Sequence, residues 1–320
     1  VALPNTNFDQ ITAITNDVFL PTLPDLVFDQ NVFWKMASKG GTKVQGGAAI
    51  RQPVLYQFSK DGAYFDYEKA STAAEDQVTS AEFPWKLYRQ RIVISDPELH
   101  RNDGPEAIHR LLKAKMMGAA NAIRDALGTD LFVTSYGDSV RNINSLPNVL
   151  GDSTFPASPL PTIAGGIDKA TYTFWRGTNY DYAGNTLGEY DEMATAWWQI
   201  VDGDIKPNLI LSHTTPVRVH QIEAAGSGHT ADRYVNTNDL KSGFTTYSFQ
   251  GVPWVTDLHC STTELYMLNM NFLDLVSHAN RNFTMRKFQQ PDDQDVNIGF
   301  IYWMGNLTVS DPSRSGIMYT

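Results

Sequence analysis

Residues 165–177, GGIDKATYTFWRG, place two glycines before a carboxylate and a lysine, then close Tyr172, Phe174 and Trp175 on Arg176. Backbone N–H groups freed by glycines can cradle a phosphate, and aromatic faces can hold a cation. Two other glycine-rich stretches fail as nucleotide sites on detail. KGGTKVQGG, Lys39 to Gly47, lacks the terminal Gly-Lys-Ser/Thr of a phosphate loop and opens into strands where such a loop opens into a helix. AAGSGHT, Ala224 to Thr230, is followed by no nucleotide pattern.

The seven histidines, His100, His109, His213, His220, His229, His259 and His278, form no HExxH pair and no close metal-ligand cluster. His213 and His220 straddle Pro216, but no carboxylate is spaced to complete a site with them. Ser212 and His213 are adjacent in a strand-like run, so they point to opposite faces and cannot share a triad; no GxSxG elbow occurs. Cys260 is the only cysteine, which excludes a disulfide within the chain and a Cys-based zinc site, and reads as a small buried hydrophobe. No catalytic, cofactor-binding or metal-binding residue is assigned, and an enzyme would need a hydrolytic site assembled from distant residues. The pairs Trp197-Trp198 and IYWM, Ile301 to Met304, read as core or subunit contact.

At 320 residues, 42% of them hydrophobic and 19% charged, the chain can bury a substantial core. No apolar run approaches the roughly 18 residues a membrane helix needs, so no membrane partner is expected. The net charge of −10 argues against tight electrostatic binding of nucleic acid, which requires a concentrated Lys/Arg face. The start, VALPNTNFDQ, lacks the regions of a secretion signal, so the sequons at Asn282 and Asn306 read as chance matches.

The elements that would position these residues follow from pattern. Pro24 suits the start of a short apolar helix over Asp25 to Ser38, closed by Gly40 and Gly41. Phe28, Phe33, Trp34 and Met36 are too many large groups for that helix to hide alone, so this arm is expected to lie on something else. Period-two alternation around Val54, Tyr56 and Phe58, and again around Phe83, Trp85 and Leu87, predicts two long strands joined by a long loop. Gln57 to Lys86 carries six acids against three lysines, so the hairpin tip is solvated and projects. Asp103, Pro105 and Glu106 predict the start of a helix running to Leu127, with Gly128 at C′. Its 23 residues span about 35 Å, whereas a compact body of this length has a radius of gyration of about 20 Å.

Further along, helices are expected over Gly188 to Val201 and Pro216 to Ala225, a strand at Asn208 to Ser212, and two strands around the turn at Gln250 and Gly251. Strand-like NRNFTMRKFQ and VNIGFIYWMGNLTVSD close the chain. Helices and strands mix without βαβ alternation, which gives an α+β fold.

The apolar arm, KGGTKVQGGAAIRQPVLY, the acidic hairpin returning through AEFPWKLYRQRIVISDPEL, and the long capped helix follow one another as in the major capsid proteins of tailed bacteriophages, a fold shared with encapsulins and the herpesvirus capsid floor. GGIDKATYTFWR and GVPWVTD followed by LYMLNMNFLDL are similar to segments of that group. The resemblance spans roughly Asp25 to the terminus. It implies an N-arm (1–39), an extended E-loop hairpin (40–95), a peripheral domain (96–180) with a spine helix (105–127), an inserted axial domain (181–264) and a return to the peripheral domain (265–320). It further implies that GGIDKATYTFWRG is structural, a turn fastened by Phe174, Trp175 and Arg176.

Under the resemblance the chain is a structural protein of the virion, assembled in the host cytoplasm into hexamers and pentamers of an icosahedral head around double-stranded DNA. Packaged DNA is met by non-specific proximity only. An encapsulin-like compartment is the alternative. Residues expected at contacts between copies are Phe28, Phe33, Trp34, Lys60, Tyr64, Phe65, Tyr67, Lys69, Trp85, Arg89, Arg91, Trp175 and Arg176. Scaffolding, portal and cement proteins are implied partners. Lys60 and Lys69 stand where some relatives form a Lys-to-Asn crosslink, with no acidic catalyst evident beside them.

Overall fold

The computed structural model describes residues 32–57, 63, 66, 69, 76–97, 105–151, 162–182, 184, 186–226, 247–292 and 294–319. The elements in order are α1 (Val32–Gly40), β1 (Lys43–Val44), β2 (Ala49–Leu55), β3 (Val78–Pro84), β4 (Lys86–Ser95), α2 (Pro105–Phe132), α3 (Leu146–Leu150), β5 (Ile163–Ala164), β6 (Ile167–Asp168) and β7 (Thr178–Asp181). There follow α4 (Tyr190–Ile200), β8 (Leu209–Ser212), α5 (Thr214–Gly226), β9 (Tyr247–Phe249), β10 (Val252–Thr256), β11 (Glu264–Leu268), β12 (Leu273–His278), β13 (Thr284–Gln289), β14 (Val296–Val309) and β15 (Gly316–Tyr319). The fold is α+β, as the sequence implies.

β14 organises a five-stranded sheet. It runs antiparallel to β4 from Val296↔Ser95 to Gly305↔Lys86, while its other edge takes first β13 and then β12, with β1 beyond. Its first nine residues alternate as a half-buried strand must: Asn297, Gly299, Ile301 and Trp303 are buried, whereas Ile298, Phe300, Tyr302 and Met304 remain partly open. The buried face meets α2, whose stripe of Leu112, Met116, Ala119, Ala120, Ile123, Leu127 and Leu131 has helical spacing.

α2 is longer than expected. It continues past Gly128 to Phe132, 28 residues in all and about 42 Å. Gly128 is not a C′ residue: a Cβ there would sit 2.8 Å from Nδ1 of His259, which lies against the helix. The His259 ring is held at both ends, Nδ1 2.9 Å from Asp257 and Nε2 3.1 Å from Asp125 on α2. The glycine serves a contact between elements distant in sequence, which local pattern does not encode.

Burial of the His259 ring opposes its protonation, but the hydrogen bonds and charges of Asp125 and Asp257 outweigh it and raise the pKa. A raised folded value means that the clamp's charge contribution is complete below the unfolded value of about 6.5 and fades as pH rises through the folded one. The gap in thermal midpoint between wild type and His259→Gln should therefore be widest near about pH 5.5 and narrow toward about pH 9. Gly→Ala in a helix ordinarily gains about 1 kcal/mol; at Gly128 overpacking of about 1–3 kcal/mol should reverse that sign and flatten the same pH dependence.

A six-stranded sheet has the order β7-β15-β11-β8-β10-β9. Alternation along β8 divides it between two cores. Leu209 and Leu211 join the large core shared with α2 and β14, while Ile210 joins Trp254, Leu265, Met267 and Met318 against Met193, Ala196, Trp197 and Ile200 of α4. β11 pairs antiparallel with β8 in this sheet, from Leu265↔Ser212 to Leu268↔Leu209, so strand pairing runs across residue 264.

Candidate functional site

Asp257, His259 and Cys260 bring a thiol, an imidazole and a carboxylate close together in sequence, which invites comparison with a nucleophilic centre. The geometry gives a different arrangement. Both His259 nitrogens face carboxylates, and the Cys260 thiol, buried, donates to the Glu264 carbonyl at 3.7 Å. Burial pushes the thiol well above its ordinary range, opposite to an activated nucleophile. Among the described residues no group of three or more His, Cys, Asp or Glu is placed to hold a metal, and no helix is long and apolar enough to cross a membrane. Asn306 of the second sequon is fully buried, its Nδ2 donating to the Pro84 carbonyl at 2.9 Å.

The GGIDKATYTFWRG stretch is a fastening. Gly165 and Gly166, with φ of +61° and +72°, form the two-residue turn between β5 and β6, the left-handed pair that such a tight hairpin requires. The turn docks on the long hairpin's base: Glu82 N–H donates to the Gly165 carbonyl at 2.8 Å, and a Cβ at Gly165 would meet Phe83 at 2.8 Å. Asp168 accepts from Ala170 N–H and the Thr171 hydroxyl, which holds its carboxyl below the usual range. Lys169 is buried and donates to the carbonyls of Asn148 and Gly151 at the end of α3, the latter at 2.7 Å. Trp175 Nε1 donates to the Ala164 carbonyl at 2.8 Å, and Arg176 donates to the carbonyls of Lys169 and Ala170. Every polar group named here is engaged by a partner within the chain.

The residues expected at contacts between copies divide into three groups. Phe28, Lys60, Tyr64, Phe65 and Tyr67 lie outside the described residues. Phe33, Trp34 and Trp175, at 0%, 1% and 0% exposure, sit in this chain's own core. α1 does lie on something else, but that is β12 of the same chain. Trp85 is half-buried, its Nε1 donating to the Gly47 carbonyl at 3.0 Å and its ring edge-on to His278. Arg176 is half-buried in the fastening just described, and Lys69, Arg89 and Arg91 are exposed.

Sequence reasoning missed the face on which Arg89 and Arg91 stand. Strand register aligns Arg91 with Phe300 and Arg286, and Arg89 with Tyr302 and Thr284. The guanidinium groups of Arg281 and Arg286 lie 5.1 and 5.5 Å from the Tyr302 ring centre, and Phe300 is tilted against Tyr302 at 6.1 Å. Leu87 stands 61% exposed in the same row as partly open Met304. A signal was present: the segments forming β4, β13 and β14 contain no Asp or Glu, in a chain of net charge −10.

No family model matches the chain, and neither does any curated protein. Solved structures do. The cyanophage A-1(L) capsid asymmetric unit superposes with a TM-score of 0.61 at 16% identity, over 89% of this chain and 92% of that one. A virus-like particle from Pyrococcus furiosus gives 0.54 at 10% identity, over 98% and 99%. The holo-SrpI encapsulin complex from Synechococcus elongatus gives 0.52 at 12% identity, over 87% and 83%. The chain has the major capsid fold shared by tailed phages and encapsulins.

Proposed function

We propose that this chain is a shell-forming structural protein, the major capsid protein of a tailed-phage head, assembling as hexamers and pentamers around double-stranded DNA. The observation that carries the reading is the similarity to the cyanophage capsid subunit over nearly the full length of both chains. The polar groups of the GGIDKATYTFWRG stretch, each engaged by a partner within the chain, support a mechanical role over a chemical one. In such a shell, contact area is spread over many copies, so stability belongs to the assembly more than to the subunit. Scaffolding, portal and cement proteins are the partners this role requires or accommodates. Electron microscopy of the expressed chain, alone and with its scaffold, should show closed shells or capsomers. A monodisperse monomer under all those conditions would remove the proposal.

An encapsulin-like compartment is favoured by a separate observation, the matches to the Pyrococcus furiosus particle and the SrpI encapsulin. The contents of native particles decide between the two. Double-stranded DNA with a portal at one vertex supports the phage head, and a packaged enzyme with no portal supports the compartment.

A further inference from the structure

We infer that Asp138, with Lys86 and Asn306, locks the root of the β2–β3 hairpin to the body, so that the direction of the hairpin is set within the free subunit before it meets another copy. The bearing on assembly rests on the shell-forming reading; the lock itself does not.

Both connections of the hairpin to the body are pliable. Only Trp85 separates β3 from β4, and β1 reaches β2 through residues 45–48, where Gly46 and Gly47 have φ of +79° and +96°. Other bonds must therefore fix the angle, and they form a closed ring. Asn306 Nδ2 donates to the Pro84 carbonyl at 2.9 Å, while its Oδ1 accepts from Asn144 N–H at 3.0 Å. Asn144 Nδ2 donates to one Asp138 carboxylate oxygen at 2.7 Å, and the other accepts from Gly166 N–H at 3.1 Å. The carbonyl of Gly165, one peptide bond away, accepts from Glu82 N–H at 2.8 Å, two residues before Pro84. The ring is complete there. It ties the hairpin root, the β5–β6 turn, the loop after α2 and β14 to one another.

Lys86 holds the loop that carries Asp138. Its ammonium, 3% exposed, donates to the carbonyls of Gly137 and Asp138 at 2.9 and 3.0 Å and to that of Val140. Burial pulls its pKa down, and the Asp138 charge opposes that. A buried ammonium is costly without such partners, so the loop cannot leave without stranding the charge. Asn144 and Asn306 are fully buried, and hydrogen bonds in that low-dielectric setting resist distortion. Opening any one link turns a closed ring into a chain with a hinge. A hairpin already aimed spares each contact between copies the cost of ordering it.

The test uses the full chain in a Cys260→Ala background, spin-labelled at Val78→Cys on the hairpin and Thr129→Cys on α2, both exposed. Diluting it in excess unlabelled chain restricts double electron–electron resonance to distances within one subunit. The unsubstituted lock should give one narrow distribution. Asp138→Ala, which removes both acceptors, and Lys86→Met, which removes the charge, should broaden it. Asp138→Asn, whose single amide oxygen cannot serve both donors, should do the same and covers the case in which Asp138→Ala does not fold. Met193→Ala, in the other core, should lower the thermal midpoint without broadening. Asp138→Asn should also raise the critical concentration for shell formation by about tenfold. A distribution as narrow in the Asp138 variants as without them, or equal broadening from Met193→Ala, overturns the inference, as does an unchanged critical concentration. If wild type forms no closed particles the shell reading fails, and the distance distributions still decide the lock.

Discussion

Replacing Phe58–Glu75 with the dipeptide Asn-Gly abolishes shells and leaves the subunit folded: this is the largest effect expected of any change to the chain. The pairing of β2 with β3 is complete without the removed residues, from Ala49↔Pro84 to Leu55↔Val78, and Tyr56 N–H donates to the Gln77 carbonyl at 3.1 Å beyond it. Asn-Gly supplies the two left-handed residues that a tight hairpin turn needs. Ile50, Val54, Ala81 and Phe83, which anchor the hairpin in the core, are untouched. Far-ultraviolet circular dichroism should therefore be unchanged and the monomer's thermal midpoint should shift by only a few degrees. Electron microscopy should find no closed particles. Shells of normal size and yield from this variant would show that the acidic segment has no part in holding copies together.

Trp175→Ala carries the largest expected loss of stability. The side chain is fully buried, and its removal costs about 3–5 kcal/mol for the lost packing and the cavity. It also leaves the Ala164 carbonyl without the indole donor at 2.8 Å. Ala164 opens the turn that receives Glu82 N–H, so the damage reaches the hairpin's base. A drop of about 10 °C in thermal midpoint is expected. Trp175→Phe, which keeps most of the volume but not the donor, should cost about 1–3 kcal/mol. Equal losses from the two variants would mean that the hydrogen bond, and not the packing, dominates.

The sequence reveals most where one period governs a segment. The spine helix, the paired strands of the hairpin, the turn at Gln250 and Gly251, and the α+β class all follow from local spacing, and the order of these parts led to the capsid fold. Its failures share one cause. Gly128 resembles a helix end because nothing nearby in sequence announces that His259 occupies its space. Phe33 and Trp34 are correctly read as needing cover, but pattern alone does not say whether that cover is a neighbour or β12. Trp175 reads as a fastener from its place in GGIDKATYTFWRG, but only the structure shows that Ala164 is the partner of its indole. The arginine face unites residues some two hundred positions apart, which only strand register aligns. The missing carboxylates in its three segments were visible, but only once those segments were known to be neighbours.

The position of β14 has a consequence for load. Ten register pairs join it to β4, while β13 and β12 grip its opposite edge in succession. A pull along this strand strains those bonds together, in parallel, and cannot part them one by one as peeling does. A load carried along this strand would therefore be borne inside the subunit, and a wall tiled from such subunits would fail first at its seams.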